Sequence, residues 1–355
     1  MQEYRAEKTR REARRHEQIT LGRTGITVPQ NAFGALPIQR ISREEAVRLL
    51  RTAYDGGMRF FDTARAYSDS ETKLGAAFSG MRDRLYIASK TQAKTPEAFR
   101  KDLETSLREL RTDYIDLYQF HCVKQCWRPG DGTGMYEAML EAKAQGKIRH
   151  IGVTAHLVGV AEELIASGLY ETLQFPLSYI SNERDLALVK ACEAADMGFI
   201  AMKGLAGGLL NNAEACMAFM LQTKALPIWG VQREEELRQW LSFFDREPAL
   251  TPELEALIEA DRKALAGDFC RGCGYCMPCS VGITINQCAR MSQMVRRAPS
   301  QVWLNAHWQG EMERIGDCLD CGLCMSRCPY GLEIPTLLRK NLADYRSILD
   351  GSTTI

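Results

Sequence analysis

Residues 114–121 read Tyr-Ile-Asp-Leu-Tyr-Gln-Phe-His. The run is short, mostly apolar, and rich in the aromatic and branched side chains that suit a pleated strand. It does not alternate between apolar and polar residues, so a strand here is expected to be buried on both faces. Runs of the same kind recur on either side: Asn31–Leu36, Arg59–Asp62, Leu85–Ser89, Ile148–Val153, Thr172–Phe175, Gly198–Met202 and Leu226–Trp229. Helical stretches with start signals lie between them. Ser42 and Glu45 have the spacing of a capping box ahead of Ala46, Leu49, Leu50 and Ala53. Thr95-Pro96-Glu97 supplies an N-cap, an N1 proline and an acid before Phe99, Leu103, Leu107 and Leu110. Glu234 to Phe244 repeats the theme with Leu237, Leu241 and Phe244. Eight strand–helix units predict an α/β fold of the (β/α)8 barrel type. A doubly wound sheet is the alternative. It ranks lower because no G-x-G-x-x-G follows an early strand.

In such a barrel, reactive side chains hang from the C-terminal ends of different strands. Asp62 ends one run, Lys90 another, and His121 follows the run quoted above, while Tyr67 lies in the loop after Asp62. A phenol with an ordinary pKa near ~10 is a poor acid–base group at neutral pH. A cationic Lys beside it is expected to lower that value. An Asp beside the Lys would keep the ammonium charged, and a His would hold a carbonyl oxygen by hydrogen bond. The set suits general acid catalysis onto a carbonyl as hydride arrives.

Near the C-terminus the chain changes character. Cys270-x2-Cys273-x2-Cys276-x2-Cys279 is followed by Cys318-x2-Cys321-x2-Cys324-x3-Cys328, with Pro329 next. Gly274 and Gly322 follow the second Cys of each set, and Cys279-Ser-Val-Gly-Ile-Thr-Ile parallels Cys328-Pro-Tyr-Gly-Leu-Glu-Ile. Such spacing lets a short loop wrap an iron–sulfur cubane and send a fourth sulfur to a neighbour. Disulfides need an oxidising compartment. Zinc rarely uses runs of three plus one. Both therefore rank below clusters. Cys192, Cys216 and Cys288 read as packing residues; for Cys122 and Cys126, beside Trp127 in the loop after His121, packing ranks ahead of contact with substrate. Trp303, His307 and Trp308 read as cover for the small domain or its docking onto the barrel.

At 355 residues the chain suits one large and one small domain. We expect a charged extension over 1–18, a barrel over 19–265, an iron–sulfur domain over 266–345 and a tail over 346–355. Equal numbers of basic and acidic residues, 45 of each, give no reason to expect a nucleic-acid or anionic-membrane partner. No run of 18 apolar residues marks a membrane span. Met1 to Gln18 mixes Arg with Glu3, Glu7, Glu12 and Glu17 and has no apolar stretch. That argues against a secretory signal and for a cytoplasmic location.

The cysteine region, roughly 265–345, resembles bacterial ferredoxins with two [4Fe-4S] clusters. The resemblance implies crossed ligation, with Cys270, Cys273, Cys276 and Cys328 on one cluster and Cys318, Cys321, Cys324 and Cys279 on the other. Cys279 comes one residue early, and Ser280 stands where ferredoxins usually carry Pro.

Residues 19–245 resemble the aldo-keto reductase family. The matching segments are Leu21-Gly-Arg-Thr-Gly, Phe60-Phe-Asp-Thr-Ala with Tyr67 and Ser70-Glu71, and Ile87-Ala-Ser-Lys90. The quoted run to His121, Lys147-Ile-Arg-His-Ile-Gly-Val and Leu173-Gln-Phe-Pro-Leu complete them. The cysteine module matches the branch of that family with a C-terminal ferredoxin-type domain. The resemblance implies a catalytic tetrad of Asp62, Tyr67, Lys90 and His121. It also implies NAD(H) or NADP(H), a small carbonyl or alcohol substrate, and a ferredoxin or flavodoxin as electron carrier.

The family's nicotinamide residues map onto Thr154, Gln174 and Met202. Thr154-Ala155 replaces the usual Ser-Asn pair, and Met202 the usual aromatic platform. Lys203 is placed to meet a pyrophosphate. Gly230, Arg233 and Glu236 fall where the adenosine end is held. Glu236 occupies the usual position of an Arg, which favours a free 2′-hydroxyl over a 2′-phosphate. Two further readings stay open. In one, the clusters drive one-electron, ketyl-like chemistry without nicotinamide. In the other, the protein is an electron-transfer subunit with the barrel as its docking scaffold.

Overall fold

The computed structural model describes residues 18–265, 269–272, 274, 276–297, 300–328 and 330–353. Nearly all of the expected N-terminal extension, and the expected ligand Cys273, lie outside the described residues. Eight strands close a parallel barrel: β3 (Ala32–Gly34), β4 (Phe60–Asp62), β5 (Tyr86–Thr91), β6 (Ile115–Phe120), β7 (Ile148–Thr154), β8 (Thr172–Pro176), β9 (Gly198–Met202) and β10 (Ala225–Gly230). β10 returns to β3, with Ile228 opposite Ala32. Every residue of β6 is buried, as its lack of alternation requires. Its one acid, Asp116, accepts hydrogen bonds from the Ile87 N–H at 2.8 Å and from Arg82 at 2.5 Å, which tie β6 to β5.

The helices begin where their caps place them. Glu45 donates its N–H to Ser42 Oγ at 3.2 Å while its carboxylate accepts the Ser42 N–H at 3.0 Å. Thr95 Oγ1 accepts from the Ala98 N–H at 3.3 Å, and Pro96 occupies the first helical position.

Two further strands, β1 (Gln18–Thr20) and β2 (Thr27–Pro29), form an antiparallel hairpin outside the barrel. Their three-residue length gives no periodicity to read. Ile19, Leu21, Ile26 and Val28 join one apolar cluster with Phe60, Ala88, Leu117, Ile200 and Leu226. These barrel residues precede Asp62, Lys90, His121 and Met202 on their strands, so the hairpin seals the N-terminal end. Gly22 has φ +48°, and a Cβ there would strike the Asp196 and Gly198 backbone. The side chains at the other end remain available for chemistry.

The chain divides into two compact units. One holds residues up to 177, 181–204 and 217–249, and the other holds 178–180, 205–216 and 250–355. The sequence-based boundary at 265 therefore falls within the second unit. Helix Pro252–Ala264 belongs there because Asp261 accepts from the Tyr179 hydroxyl and Arg262 Nε donates to the Tyr179 carbonyl at 2.6 Å. The core of the second unit gathers Ile283, Ile285, Cys288, Met291, Val295, Met312, Ile315, Leu338 and Tyr345, with Trp303 and Trp308 packed against it. Its last helix, Ile334–Leu349, runs past residue 345, so the expected tail begins as helix. Among the described residues no helix is long and apolar enough to cross a membrane.

Helix Ser70–Ala77 packs on helix Pro96–Leu110 at Gly75, where a Cβ would collide with the Glu109 carbonyl oxygen and lie 2.8 Å from the Leu110 carbonyl carbon. Both obstacles are backbone and cannot rotate away. Gly75→Ala is expected to lower barrel stability by about 1–3 kcal/mol, the usual cost of overpacking. Urea unfolding followed by circular dichroism measures this, and an unchanged midpoint would contradict the packing described.

Candidate functional site

The barrel brings Asp62, Tyr67, Lys90 and His121 together. Asp62 ends β4 and Lys90 lies in β5 two residues beyond Ala88, its register partner. Lys90 Nζ donates to Asp62 Oδ1 at 2.6 Å and to the Thr63 carbonyl at 2.7 Å. Their side chains are 0% and 3% exposed. Lys90 Nζ lies 5.1 Å from the centroid of the Tyr67 ring, and the Tyr67 and His121 rings meet edge to face at 5.7 Å.

Burial sets the protonation of this group. Burial works against the charge on Lys90, but the Asp62 carboxylate outweighs it and holds the ammonium pKa above its ordinary value. The Tyr67 phenol departs from the sequence expectation. Burial pushes its pKa up, and the Lys90 charge, which acts in the opposite direction, does not overcome it. Tyr67 is therefore a protonated phenol across the neutral range. Burial, helped by the Lys90 charge, pushes the His121 imidazole down to about 3. His121 is neutral, and its buried Nδ1 has no hydrogen-bond partner among the described residues.

A second set of contacts fixes the loop that carries Tyr67. Glu71 is fully buried; it accepts from Ser89 Oγ at 2.5 Å and pairs with Arg65. Arg65 also reaches Glu109 at 2.7 Å. Thr63 Oγ1 donates to Ser70 Oγ at 2.8 Å, which donates to the Ala35 carbonyl at 3.0 Å. Ser89 precedes Lys90, so the loop and the lysine strand are held to one another.

Several contacts escaped the sequence reading. Gln119 Nε2 donates to Gln174 Oε1 at 2.9 Å, and both amides neighbour Asp62. The signal was an amide inside a buried, mostly apolar run. Cys122 reads as packing from sequence, but it is half-buried with φ +57°, and its Sγ lies 3.5 Å from His156 Nδ1. Burial and the Lys203 charge push His156 down to about 3 as well. Cys126, Cys192, Cys216 and Cys288 are buried, as expected of packing thiols.

The expected nicotinamide positions lie at the ends of β7 to β10. Thr154 ends β7, and its Oγ1 accepts the Cys122 N–H at 2.7 Å. Gln174 is buried in β8, engaged with Gln119. Met202 ends β9 and is half-buried, and Lys203 follows with φ +58°. Gly230 ends β10, where a Cβ would approach Pro37 at 3.1 Å. Arg233 occupies the N-cap position of helix Glu234–Asp245 and pairs with Glu236 at 2.6 Å. Glu236 Oε2 accepts the N–H groups of Gln232 at 3.1 Å and Arg233 at 3.2 Å. The carboxylate thus occupies the two N–H groups just ahead of the helix.

In the second unit, Cys276, Cys279, Cys318, Cys321 and Cys324 line one cavity. Ile283, Ile285, Leu323 and Leu338 complete much of its wall. Four of the five thiols, Cys279 among them, belong to the set that the resemblance implies for one cluster. Soft thiolate donors in an apolar wall suit an iron–sulfur cluster. Cys270 is buried and Cys328 half-buried beside the same core. Among the described residues no three Cys, His or carboxylate groups converge on a single-ion position.

Comparison with known proteins accords with both halves. Residues 31–225, more than half of the chain, match the aldo/keto reductase family model, and residues 269–333 match a 4Fe-4S dicluster domain. The chain belongs to the aldo/keto reductase family, and its C-terminal part matches an iron–sulfur domain. Methylglyoxal reductase DkgB of Salmonella typhi is 35% identical over 179 residues, 47% of this chain and 64% of that protein. Aldo-keto reductase YhdN of Bacillus subtilis is 29% identical over 215 residues, 55% of this chain and 64% of that protein. The chain thus spans 64% of the length of each of these relatives. A solved aldo/keto reductase from Klebsiella pneumoniae, in complex with NADP and acetate, is 25% identical. It superposes with a TM-score of 0.57 over 69% of this chain and 95% of that one.

His121 and His156, each pushed down to about 3, carry a pH consequence. Below pH ~6.5 the unfolded chain protonates both imidazoles while the folded chain does not, so folding stability falls as pH drops from there toward 3. Each group contributes up to about 1.4 kcal/mol per pH unit across that window. Unfolding midpoints measured between pH 7 and pH 5 should fall less steeply in the double variant His121→Gln, His156→Gln. Equal slopes would show that the imidazoles are not neutral in the fold.

Proposed function

We propose that this protein interconverts a small carbonyl compound and its alcohol with a nicotinamide cofactor. Its C-terminal domain would carry two [4Fe-4S] clusters that exchange electrons with a ferredoxin or flavodoxin. The observation that carries the reading is the buried Lys90–Asp62 pair, 2.6 Å apart, beneath Tyr67 and His121. A bound nicotinamide would supply the hydride to the carbonyl carbon. Tyr67, protonated in the fold, delivers its proton to the carbonyl oxygen. Lys90 stabilises the phenolate that remains, and Asp62 keeps Lys90 charged. His121, neutral, offers an N–H to the same oxygen and fixes its position. Thr154, Gln174, Met202 and Lys203 would line the nicotinamide and pyrophosphate, and Gly230, Arg233 and Glu236 the adenosine ribose. Crossed ligation would place one cluster on Cys279, Cys318, Cys321 and Cys324, and the other on Cys270, Cys273, Cys276 and Cys328. Clusters of this kind suit a reducing compartment such as the cytoplasm.

Replacing Tyr67 with Phe removes one hydroxyl and little volume. Carbonyl reduction is expected to fall by about 10²–10⁴-fold, the usual worth of a general acid. Retained activity in steady-state assays would place the proton donor elsewhere.

Cofactor choice follows from the helix N-terminus. The Gln232 and Arg233 N–H groups at this helix start already serve Glu236, and its carboxylate repels a 2′-phosphate placed beside it. A ribose 2′-hydroxyl can donate to the same carboxylate. NADH is expected to bind at least as tightly as NADPH in fluorescence titrations, and Glu236→Gln should improve NADPH relative to NADH. A clear NADPH preference that disappears in Arg233→Ala would reverse the assignment. Binding of neither would favour direct one-electron reduction of substrate.

A further inference from the structure

The second unit buries a guanidinium beside its cysteines. Arg290 is 5% exposed. Its Nε and Nη2 donate to Gln287 Oε1 at 3.1 and 2.7 Å, and its Nη1 to the Gly207 carbonyl at 3.3 Å. The group lies against the first cysteine loop, where a Cβ on Gly272 would come within 2.8 Å of Arg290 Cζ. Among the described residues no carboxylate pairs with it, and Cys270 is the ionisable group that acts on its charge. A buried cation with neutral partners costs several kcal/mol unless a counter-charge is supplied. A cubane on four thiolates is a net anion, and the loop against Arg290 carries two of the Cys residues expected to hold one.

The two cysteine sets differ in their charged surroundings. Around the first, Arg271 follows Cys270 and stacks on Tyr330 at 4.3 Å; Arg327, which precedes Cys328, instead donates to the Pro278 carbonyl at 3.3 Å, beside Cys279 of the second set. Around the second, Asp317 precedes Cys318 and Asp320 lies between Cys318 and Cys321. Asp317 and Asp320 are exposed and screened by water, and Asp320 pairs with Arg339. The cavity of the second set is lined largely by apolar residues and has no charged side chain in its wall apart from its thiols.

We infer that Arg290 is the electrostatic partner of the cluster that takes Cys270 and holds that cluster at a higher reduction potential than its neighbour. Reduction adds one electron to the cluster and makes or breaks no bond. The added negative charge is stabilised by a fixed cation nearby, and net charge and hydrogen bonding are the levers that set such potentials. The cluster with Cys270 therefore fills first, and the cluster in the apolar cavity fills second. Arg290 acts here through the cluster and touches no substrate.

The inference rests on the two-cluster reading, which iron and sulfide analysis tests separately: close to eight irons per chain is expected, and stoichiometric zinc without iron would remove the premise. Full-length protein, purified without oxygen, is titrated with dithionite and redox mediators and followed by electron paramagnetic resonance. Two one-electron steps are expected. In Arg290→Gln the higher step should fall by at least tenfold in its equilibrium constant, about 59 mV for one electron, while the lower step stays. Arg290→Lys, which keeps the charge, should restore most of the difference. Should Arg290→Gln fail to fold, the order of filling is read from ligand variants: Cys270→Ser should perturb the higher step and Cys321→Ser the lower. An unmoved higher step in Arg290→Gln, a shift confined to the lower step, or the opposite assignment from the ligand variants would overturn the inference.

Discussion

A charge pair taken out of water is the constraint around which the barrel site is arranged. Lys90 and Asp62 are each nearly or wholly inaccessible, and neither would remain charged there without the other. Breaking such a pair from one side typically costs 3–5 kcal/mol, because the surviving charge has no water to return to. The strands must therefore meet in one register, with Asp62 level with Ala88, for the ammonium to reach the carboxylate. The Thr63 carbonyl accepts a second hydrogen bond from the ammonium, so the turn after β4 is fixed by the same group. Tyr67 leaves that turn and comes to lie over the lysine. One ion pair thus couples strand alignment, loop path and the position of the phenol.

The second unit solves a different problem with related means. Its core is small and built largely of short helices and turns, and the candidate ligands Cys270 and Cys276 are buried in it, at 8% and 6% exposed. Five thiols gathered around one apolar cavity are better matched to a soft metal centre than to packing alone. Binding of such a group contributes directly to folding when the site does not exist in the unfolded chain. Arg290 fits the same logic, as a cation that the apolar interior tolerates only against an anion.

The barrel was legible in the sequence because strands buried on both faces leave unbroken apolar runs. Leu85–Ser89 became Tyr86–Thr91, and Gly198–Met202 kept its bounds. Caps at Ser42 and Thr95 were equally plain, since each rests on local chemistry. The four side chains of the candidate site were legible because each sits where a strand ends or just beyond. What the sequence hid depends on neighbours distant along the chain. The direction of the Tyr67 shift is a contest between burial and a charge, and burial is a property of the folded barrel. Gln119 on β6 finds Gln174 on β8 across the intervening strand β7. Arg290 lies well past Cys270, and nothing in its local sequence distinguishes it from a solvated arginine. The hairpin escaped because its strands span three residues each.

That hairpin gives the molecule a polarity with practical weight. Gln18 enters the barrel domain at the closed floor, and Asp62, Tyr67, Lys90 and His121 occupy the opposite rim. An affinity tag, a fluorescent reporter or a surface tether joined ahead of β1 would emerge on the floor side and leave the rim unobstructed. The same arrangement makes residues 18–29 a poor place to trim, since Ile19, Leu21, Ile26 and Val28 stopper the barrel. Their removal would open the barrel interior to water from below.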